Sequence, residues 1–209
     1  GHSFGTYIAI KTVQQYPEYY NAYIAMAQTC NQTESEYMAY DYMKAQYEQL
    51  GNTKMVEKFE NCPIRESDEM YKKYFTSSLR VKAMHELGVG TTRDMDSVIS
   101  GIFFPSLRCK AYTWQERINL WRGKGLSAQF PVVNDSTHFN AFSEVPSLQI
   151  PIYFFAGKYD YTCCFDLQYE YYEQIDAPIK EFYVFDNSAH SPIYEEPEEA
   201  AKLFDVILE

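Results

Sequence analysis

Several things are scarce in this sequence, and each absence removes a class of function. No apolar run approaches the ~18 residues a membrane-spanning helix needs, so no membrane partner is expected. Basic residues number 18 against 29 acidic ones, a net charge of −11. They form no run of the kind that tracks a phosphate backbone, which argues against a nucleic-acid partner. The four histidines show neither H-x-H nor H-E-x-x-H spacing, so neither a metal site nor a metal cofactor is expected. The five cysteines, Cys30, Cys62, Cys109, Cys163 and Cys164, are odd in number, irregularly spaced and without a C-x-x-C pair. Neither a disulfide framework nor a zinc site reads from them. Free thiols in a reducing compartment fit better, which points to a cytoplasmic address. The adjacent pair Cys163-Cys164 suggests no role by itself.

What the chain has in quantity is aromatic residues, 20 Tyr and 14 Phe among 209. Tyrosine-rich surfaces tend to line clefts and interfaces, because the ring is apolar and its tip polar. The length suffices for one large domain, or for a core with an inserted module.

The chain opens with GHSFGTYIAIKTVQQYP. G-x-S-x-G carries chemistry only in context: a strand before it, a helix after it, and an acid and a histidine downstream in that order. Residues 6–15 lack a breaker and carry Tyr7, Ile8, Ile10 and Val13, predicting a buried helix that Pro17 stops. Residues 19–27 form an apolar run of strand length. Elbow, helix and strand make half of a βαβ crossover. From about 30 to 142 no strand alternation appears. Thr33-x-x-Glu36 and Thr113-x-x-Glu116 read as capping boxes. The first opens a helix carrying Tyr37, Tyr40, Met43, Tyr47 and Leu50 up to Gly51; the second leads through Ile118 and Trp121 towards Gly123. Between them, 55–59 reads as a short helix, Ser67 as the cap of a helix stopped by Gly88, and MDSVISGIFF as a further short segment. The region reads as a helical insert. The α/β rhythm then returns: a buried strand over 152–156 followed by Gly157 and Asp160, a helix in FDLQYEYYEQI, a strand over 181–185, and the loop DNSAHSP. A last helix near Pro197 presents Ala200, Leu203, Phe204, Ile207 and Leu208 on one face.

Three chemically apt residues thus fall at the ends of successive core elements: Ser3 before a helix, Asp160 after one strand, His190 after the next. Reactive groups in open α/β sheets collect outside the carboxyl ends of strands. The order Ser, Asp, His is that of the α/β-hydrolase architecture. A serine hydroxyl needs an imidazole to take its proton, and the imidazole needs a carboxylate to fix its tautomer. Gly1 and Gly5 fit a sharp elbow that a Cβ would obstruct. The Phe4 amide, at the start of the helix, is the expected oxyanion donor. Asp186, four residues before His190, is the nearest rival acid, and Asp166 falls inside a predicted helix. His138 belongs to the return from the insert, His85 to a helix, and His2 is the variable elbow position. Taken singly, Ser3 reads as inert, Asp160 as a turn former and His190 as a packed histidine. Their conjunction carries the reading.

GHSFGTYIAIKTVQQYPEYYNAYIAMAQ, IPIYFFAGKYDY and FDNSAHSPIYEEPEEAAKLF together resemble bacterial α/β-hydrolases of the proline-iminopeptidase-like group. The likeness covers both flanks closely and the middle loosely. It implies an α/β fold of α/β-hydrolase type, the C-terminal part of a mostly parallel sheet with flanking helices, carrying a helical cap. Residues 1–29 and 143–209 would be core and 30–142 cap. It also implies Ser3 as nucleophile, Asp160 as acid and His190 as base. A strand is then expected to run directly into Gly1, the 209 residues being the C-terminal part of a longer hydrolase that is inactive without the rest. Serine at the elbow excludes the aspartate-nucleophile dehalogenases of the same fold. The resemblance implies a small-molecule or short-peptide substrate, cleaved by an aminopeptidase or a carboxylesterase, with no cofactor. In such aminopeptidases cap carboxylates bind the substrate ammonium, and Glu34, Glu36 and Asp41 are available, although acids on a helix face are by default solvated. The other function class is a non-enzymatic binding or scaffold member, or an inactive fragment of the fold. Oligomeric state is not legible.

Overall fold

The structure, a computed structural model, describes residues 1–127 and 129–208. In chain order its elements begin with α1 (Phe4–Gln15), a 3-10 turn (Pro17–Tyr19) and β1 (Tyr23–Met26). A helical stretch follows: α2 (Gln32–Gln49), α3 (Thr53–Glu60), α4 (Asp68–Phe75), α5 (Ser78–Glu86), a π-helical turn (Ile99–Phe103), α6 (Phe104–Arg108), α7 (Trp114–Ser127), α8 (Pro131–His138) and α9 (Ala141–Glu144). The chain closes with β2 (Ile152–Gly157), α10 (Phe165–Gln174), β3 (Lys180–Phe185), α11 (Pro192–Glu195) and α12 (Pro197–Leu208). This is a mixed α/β arrangement with a small parallel sheet and many helices. No helix among the described residues is long and apolar enough to cross a membrane.

The strands pair in parallel in the order β1–β2–β3, with Met26 beside Phe155 and Gly157 beside Phe185. Their carboxyl ends therefore lie along one edge. Central β2 is apolar because it is covered on both faces. Ile152 and Phe154 pack with Tyr7, Ile10 and Val13 of α1 and with Leu167 and Tyr171 of α10. On the other face Phe155 packs with Phe185 of β3 and with Ala200, Leu203, Phe204 and Ile207 of α12.

Several boundaries differ from the sequence expectation, each for a local reason. Asn31, not Thr33, caps α2, its side chain accepting the Glu34 N–H at 3.1 Å. Asn31 is already held in extended backbone by an antiparallel bridge to Asn140, so the earlier of two good caps wins. The Thr113–Glu116 box does form, with the Thr113 N–H donating to Glu116 Oε2 at 2.7 Å. But α7 continues through Gly123 and Gly125, because an interior glycine weakens a helix by only about 1 kcal/mol. The helix expected from Ser67 to Gly88 is two, since the Ser77 hydroxyl caps a new one at the Arg80 N–H. The turn Pro17–Tyr19 delays β1 to Tyr23. Ile8 and Leu208, expected to face inward, are 42% and 81% exposed. Ile8 lies off the Thr6, Ile10, Val13 stripe, and Leu208 ends its helix.

The helical stretch has a core of its own. Tyr40, Met43, Phe59, Tyr74 and Met84 form a buried cluster drawn from residues 39–89. Its two ends meet at the sheet edge, where the Ala141 N–H donates to the Cys30 carbonyl at 2.7 Å. Beside this cluster Glu36 is fully buried, and Arg80 is only 14% exposed. The Arg80 guanidinium grips the carboxylate with both Nε, at 2.6 Å to Oε2, and Nη2, while Gln32 Nε2 donates to Oε1 at 3.1 Å. Asp41 and Arg65 make a similar two-pronged pair on the surface, about half exposed on each side.

These two pairs should differ in worth. Arg80→Ala leaves a buried carboxylate unpaired and is expected to destabilise by about 3–5 kcal/mol. Arg65→Ala should cost below about 1 kcal/mol. Urea midpoints of the two variants measure the contrast, and equal midpoints would refute it.

Candidate active site

The first five residues make a tight reversal. Gly1 and His2 run parallel beside β1: the Met26 N–H donates to the Gly1 carbonyl and the Ser3 N–H to the Met26 carbonyl, both at 3.0 Å. Ser3 then takes φ 54° and ψ −129°, a region L-residues rarely adopt, and α1 begins at Phe4. Such strain persists only where neighbours over-determine it. Here the Thr6 hydroxyl donates to the Ser3 carbonyl at 2.6 Å and accepts the Thr29 N–H at 2.9 Å; the Thr29 hydroxyl also reaches the Ser3 carbonyl, at 3.3 Å. Ala27, just past β1, is a second non-glycine at positive φ, 51°. A Cβ on Gly1 would sit 2.7 Å from the Gly5 carbonyl oxygen, so no side chain fits there. The expectation for Gly5 does not hold, since a Cβ there meets nothing within 4 Å among the described residues.

The Ser3 hydroxyl does not cap α1. Its Oγ lies 2.7 Å from His190 Nε2, and His190 Nδ1 lies 3.0 and 3.1 Å from the two Asp160 carboxylate oxygens. These partners fix the tautomer: Nδ1–H donates to the carboxylate and Nε2 accepts from the hydroxyl. Asp160 is fully buried and His190 nearly so. A carboxylate in that setting needs every lone pair used. Asp160 Oδ1 also accepts the Thr162 N–H at 2.8 Å and the Cys163 N–H at 2.9 Å, while Gln168 Nε2 approaches Oδ2 at 3.4 Å. The chain hydroxyl–imidazole–carboxylate can move a proton off Ser3 and hold the resulting imidazolium. The Phe4 N–H, at the first position of α1, has no acceptor within the helix, and the helix N-terminus is the positive end of the dipole.

The rival residues lie elsewhere. Asp186 is exposed and paired with Lys158 at 2.8 Å. Asp166 is in the first turn of α10. His85 Nδ1 donates to the Val81 carbonyl and His138 Nδ1 to the Asn134 carbonyl. His138 also lines a cavity of about 600 Å³ between α2, α4 and α8, with Thr33, Tyr37, Tyr71 and Phe75. His2 is closer to the site: its Nε2–H donates to the His190 carbonyl at 2.7 Å, and burial lowers its pKa despite that bond. Cys163 and Cys164 are free thiols buried in the acid loop. Burial pushes the Cys163 thiol well up and that of Cys164 to about 12, so both stay protonated and unreactive at neutral pH. Among the acids of the helical stretch, Glu36 and Asp41 are held by arginines, and Glu34 is exposed.

Sequence reading missed the supporting residues. Gln168 Nε2 donates to the Cys163 carbonyl while its Oε1 accepts the Gln28 N–H, tying α10 to the end of β1. Nothing in a polar, tyrosine-rich helix marks that glutamine. Thr6 and Thr29 are equally silent as letters. Gly157, expected just after the strand, is its last residue, and its reason is steric: a Cβ there would lie 1.8 Å from the Ala189 carbonyl oxygen. The histidine loop crosses directly over the end of β2.

Comparison with known proteins adds a distant likeness. The chain is 27% identical over 199 residues to the probable aminopeptidase YbaC of Bacillus subtilis (strain 168), covering 94% of this chain and 60% of that protein. It thus spans about 60% of the length of this curated relative, whose name describes a hydrolase. No family model matches the chain.

Glycine contacts give a test with opposite signs. Gly157→Ala should push the histidine loop off β2 and destabilise by about 1–3 kcal/mol, the usual cost of overpacking. Gly123→Ala, in the interior of α7 with nothing among the described residues within 4 Å of the new Cβ, should stabilise by about 0.5–1 kcal/mol. Thermal or urea unfolding of both variants checks the pair, and a Gly157→Ala protein as stable as wild type would show that the loop has room.

Proposed function

We propose that this chain belongs to a serine hydrolase of α/β-hydrolase type, of the proline-iminopeptidase-like group, cleaving a small amide or ester through an acyl-enzyme. The observation that carries the reading is the hydrogen-bonded chain from Ser3 through His190 to Asp160, with Ser3 on a strained turn between strand-like backbone and a helix. Ser3 is the nucleophile, His190 the general base and then the acid, and Asp160 the group that orients the imidazole and balances its charge. Attack on a carbonyl develops an oxyanion, which the Phe4 N–H stabilises at the start of α1. Residues 1–29 and 143–209 act as core, and 30–142 as a cap over the site.

Between amide and ester, two observations pull apart. The relative's name favours an aminopeptidase. The arginine pairing of Glu36 and Asp41 favours a general esterase, because it occupies two of the three carboxylates named for an ammonium.

In the full-length protein Ser3→Ala should lower kcat by roughly three to six powers of ten. Asp160→Asn should cost about four powers of ten, and Asp186→Asn less than about tenfold, since only Asp160 reaches the imidazole. Steady-state kinetics on a p-nitrophenyl ester and an aminoacyl arylamide read all three. Near-normal turnover by Ser3→Ala would sink the assignment, and a larger loss in Asp186→Asn would overturn the choice of acid.

A substrate pair separates the two enzyme readings. An aminopeptidase should cleave aminoacyl arylamides about ten- to a hundredfold faster than their N-acetyl forms, because acetylation removes a charge-assisted contact of roughly 1.5–3 kcal/mol. Equal rates would identify a general esterase.

A further inference from the structure

The loop that carries His190 is held by two carboxylates from the segment just after it. Glu196 Oε2 accepts the Asn187 N–H at 3.0 Å and the Ser188 hydroxyl at 2.6 Å, which is ordinary anchoring within one loop. Glu195 does something different. Its Oε2 accepts the N–H groups of Ala189, at 3.0 Å, and Ser191, at 3.3 Å, the two amides that flank His190. Its Oε1 accepts the Arg93 N–H at 2.6 Å, from a segment about a hundred residues earlier.

That earlier segment touches the site at two more places. The Gly90 carbonyl accepts the His190 N–H at 3.2 Å, and the Val89 carbonyl accepts the Tyr161 N–H, next to Asp160, at 3.3 Å. The Arg93 guanidinium lies 3.5 Å over the Tyr159 ring and donates to the Gly88 carbonyl at 3.0 Å. Residues 88–93 therefore form a strap from the helical stretch across both the acid loop and the histidine loop, and Glu195 is the carboxylate that fastens it. Since the Glu195 oxygens face backbone amides and not Ser3, any effect it has on chemistry runs through His190.

We propose that Glu195 is a positioning residue that couples the helical stretch to the imidazole: His190 is aimed at Ser3 while the strap over 88–93 is fastened, and loses that aim when it is released. The proposal rests on the hydrolase reading given above. It assigns Glu195 an effect on the rate of Ser3 acylation rather than on substrate affinity.

The test uses the full-length protein, a fluorophosphonate probe that reports Ser3 reactivity, and kcat and KM on a p-nitrophenyl ester. Glu195→Gln keeps size but, in either orientation of its amide, sets an NH2 against a backbone N–H that needs an acceptor, that of Arg93 or those flanking His190. It should slow labelling and kcat about ten- to a hundredfold, in line with the cost of a small misplacement of a reacting group, while KM stays within about twofold. Wild-type labelling by a folded Glu195→Gln protein would overturn the proposal. Arg93→Ala loosens the strap from its other end without touching the histidine loop. Losing its stack on Tyr159, worth roughly 0.5–1 kcal/mol, should slow labelling about two- to fivefold. If Glu195→Gln fails to fold, Arg93→Ala decides alone: slowed labelling supports the coupling and an unchanged rate refutes it. Wild-type protein that takes no label sinks the hydrolase reading and this one together, whereas equal labelling of wild type and both variants sinks only the coupling.

Discussion

Burial of one carboxylate, Asp160, is the constraint around which the site is assembled. Removing such a group from water costs several kcal/mol unless donors replace the lost hydration. The replacement here comes from three parts of the chain: the turn at Thr162 and Cys163, Gln168 of α10, and His190 of the following loop. Each donor brings its own element to the same place. The turn and α10 are close in sequence and follow almost automatically. His190 arrives only because β2 and β3 are parallel neighbours in register, so that their carboxyl ends, and the loops leaving them, lie together.

The strained turn at Ser3 is the second half of the same arrangement. A serine at φ 54° is unfavourable in isolation and is held by the Thr6 and Thr29 hydroxyls and by pairing of Gly1 and His2 along β1. Those contacts belong to the sheet and its first helix. They connect through Gln28 and Gln168 to the acid loop, so the turn and the buried carboxylate share one hydrogen-bonded frame. Close packing tightens it further, since the histidine loop crosses β2 at a glycine that admits no side chain.

Against this frame the helical stretch is attached at many points, several of them on the loops of Asp160 and His190. Its ends meet at Cys30 and Ala141, α2 begins just past Thr29, and residues 88–93 reach back over the loops of Asp160 and His190. A stretch with its own buried cluster could have been tethered anywhere on the sheet. Its placement is what makes a coupling between the helical stretch and the imidazole physically reasonable.

Periodicity and punctuation in the sequence sufficed for the elements themselves: the apolar run of β2, the stripe of α12 on Phe155 and Phe185, the Thr113–Glu116 box, and the helical character of the middle. They sufficed because these features depend on residues a few positions apart. The order Ser3, Asp160, His190 at element ends was legible for the same reason. Choices between near-equal local options were not: Asn31 over Thr33 as a cap, Ser77 as a new start, α7 running through two glycines. The first was settled by a bridge, the second by another cap and the third by a glycine cost of only about 1 kcal/mol, all within the spread of local preferences. The burial of Glu36 against Arg80 and the grip of Glu195 on the amides around His190 lay wholly beyond the sequence, and the pairing of Ser3 with His190, expected from their order, owes its 2.7 Å approach to the fold. They join residues 44, 6 or fewer, and 187 positions apart through specific geometry, and only the packed chain brings those atoms within reach.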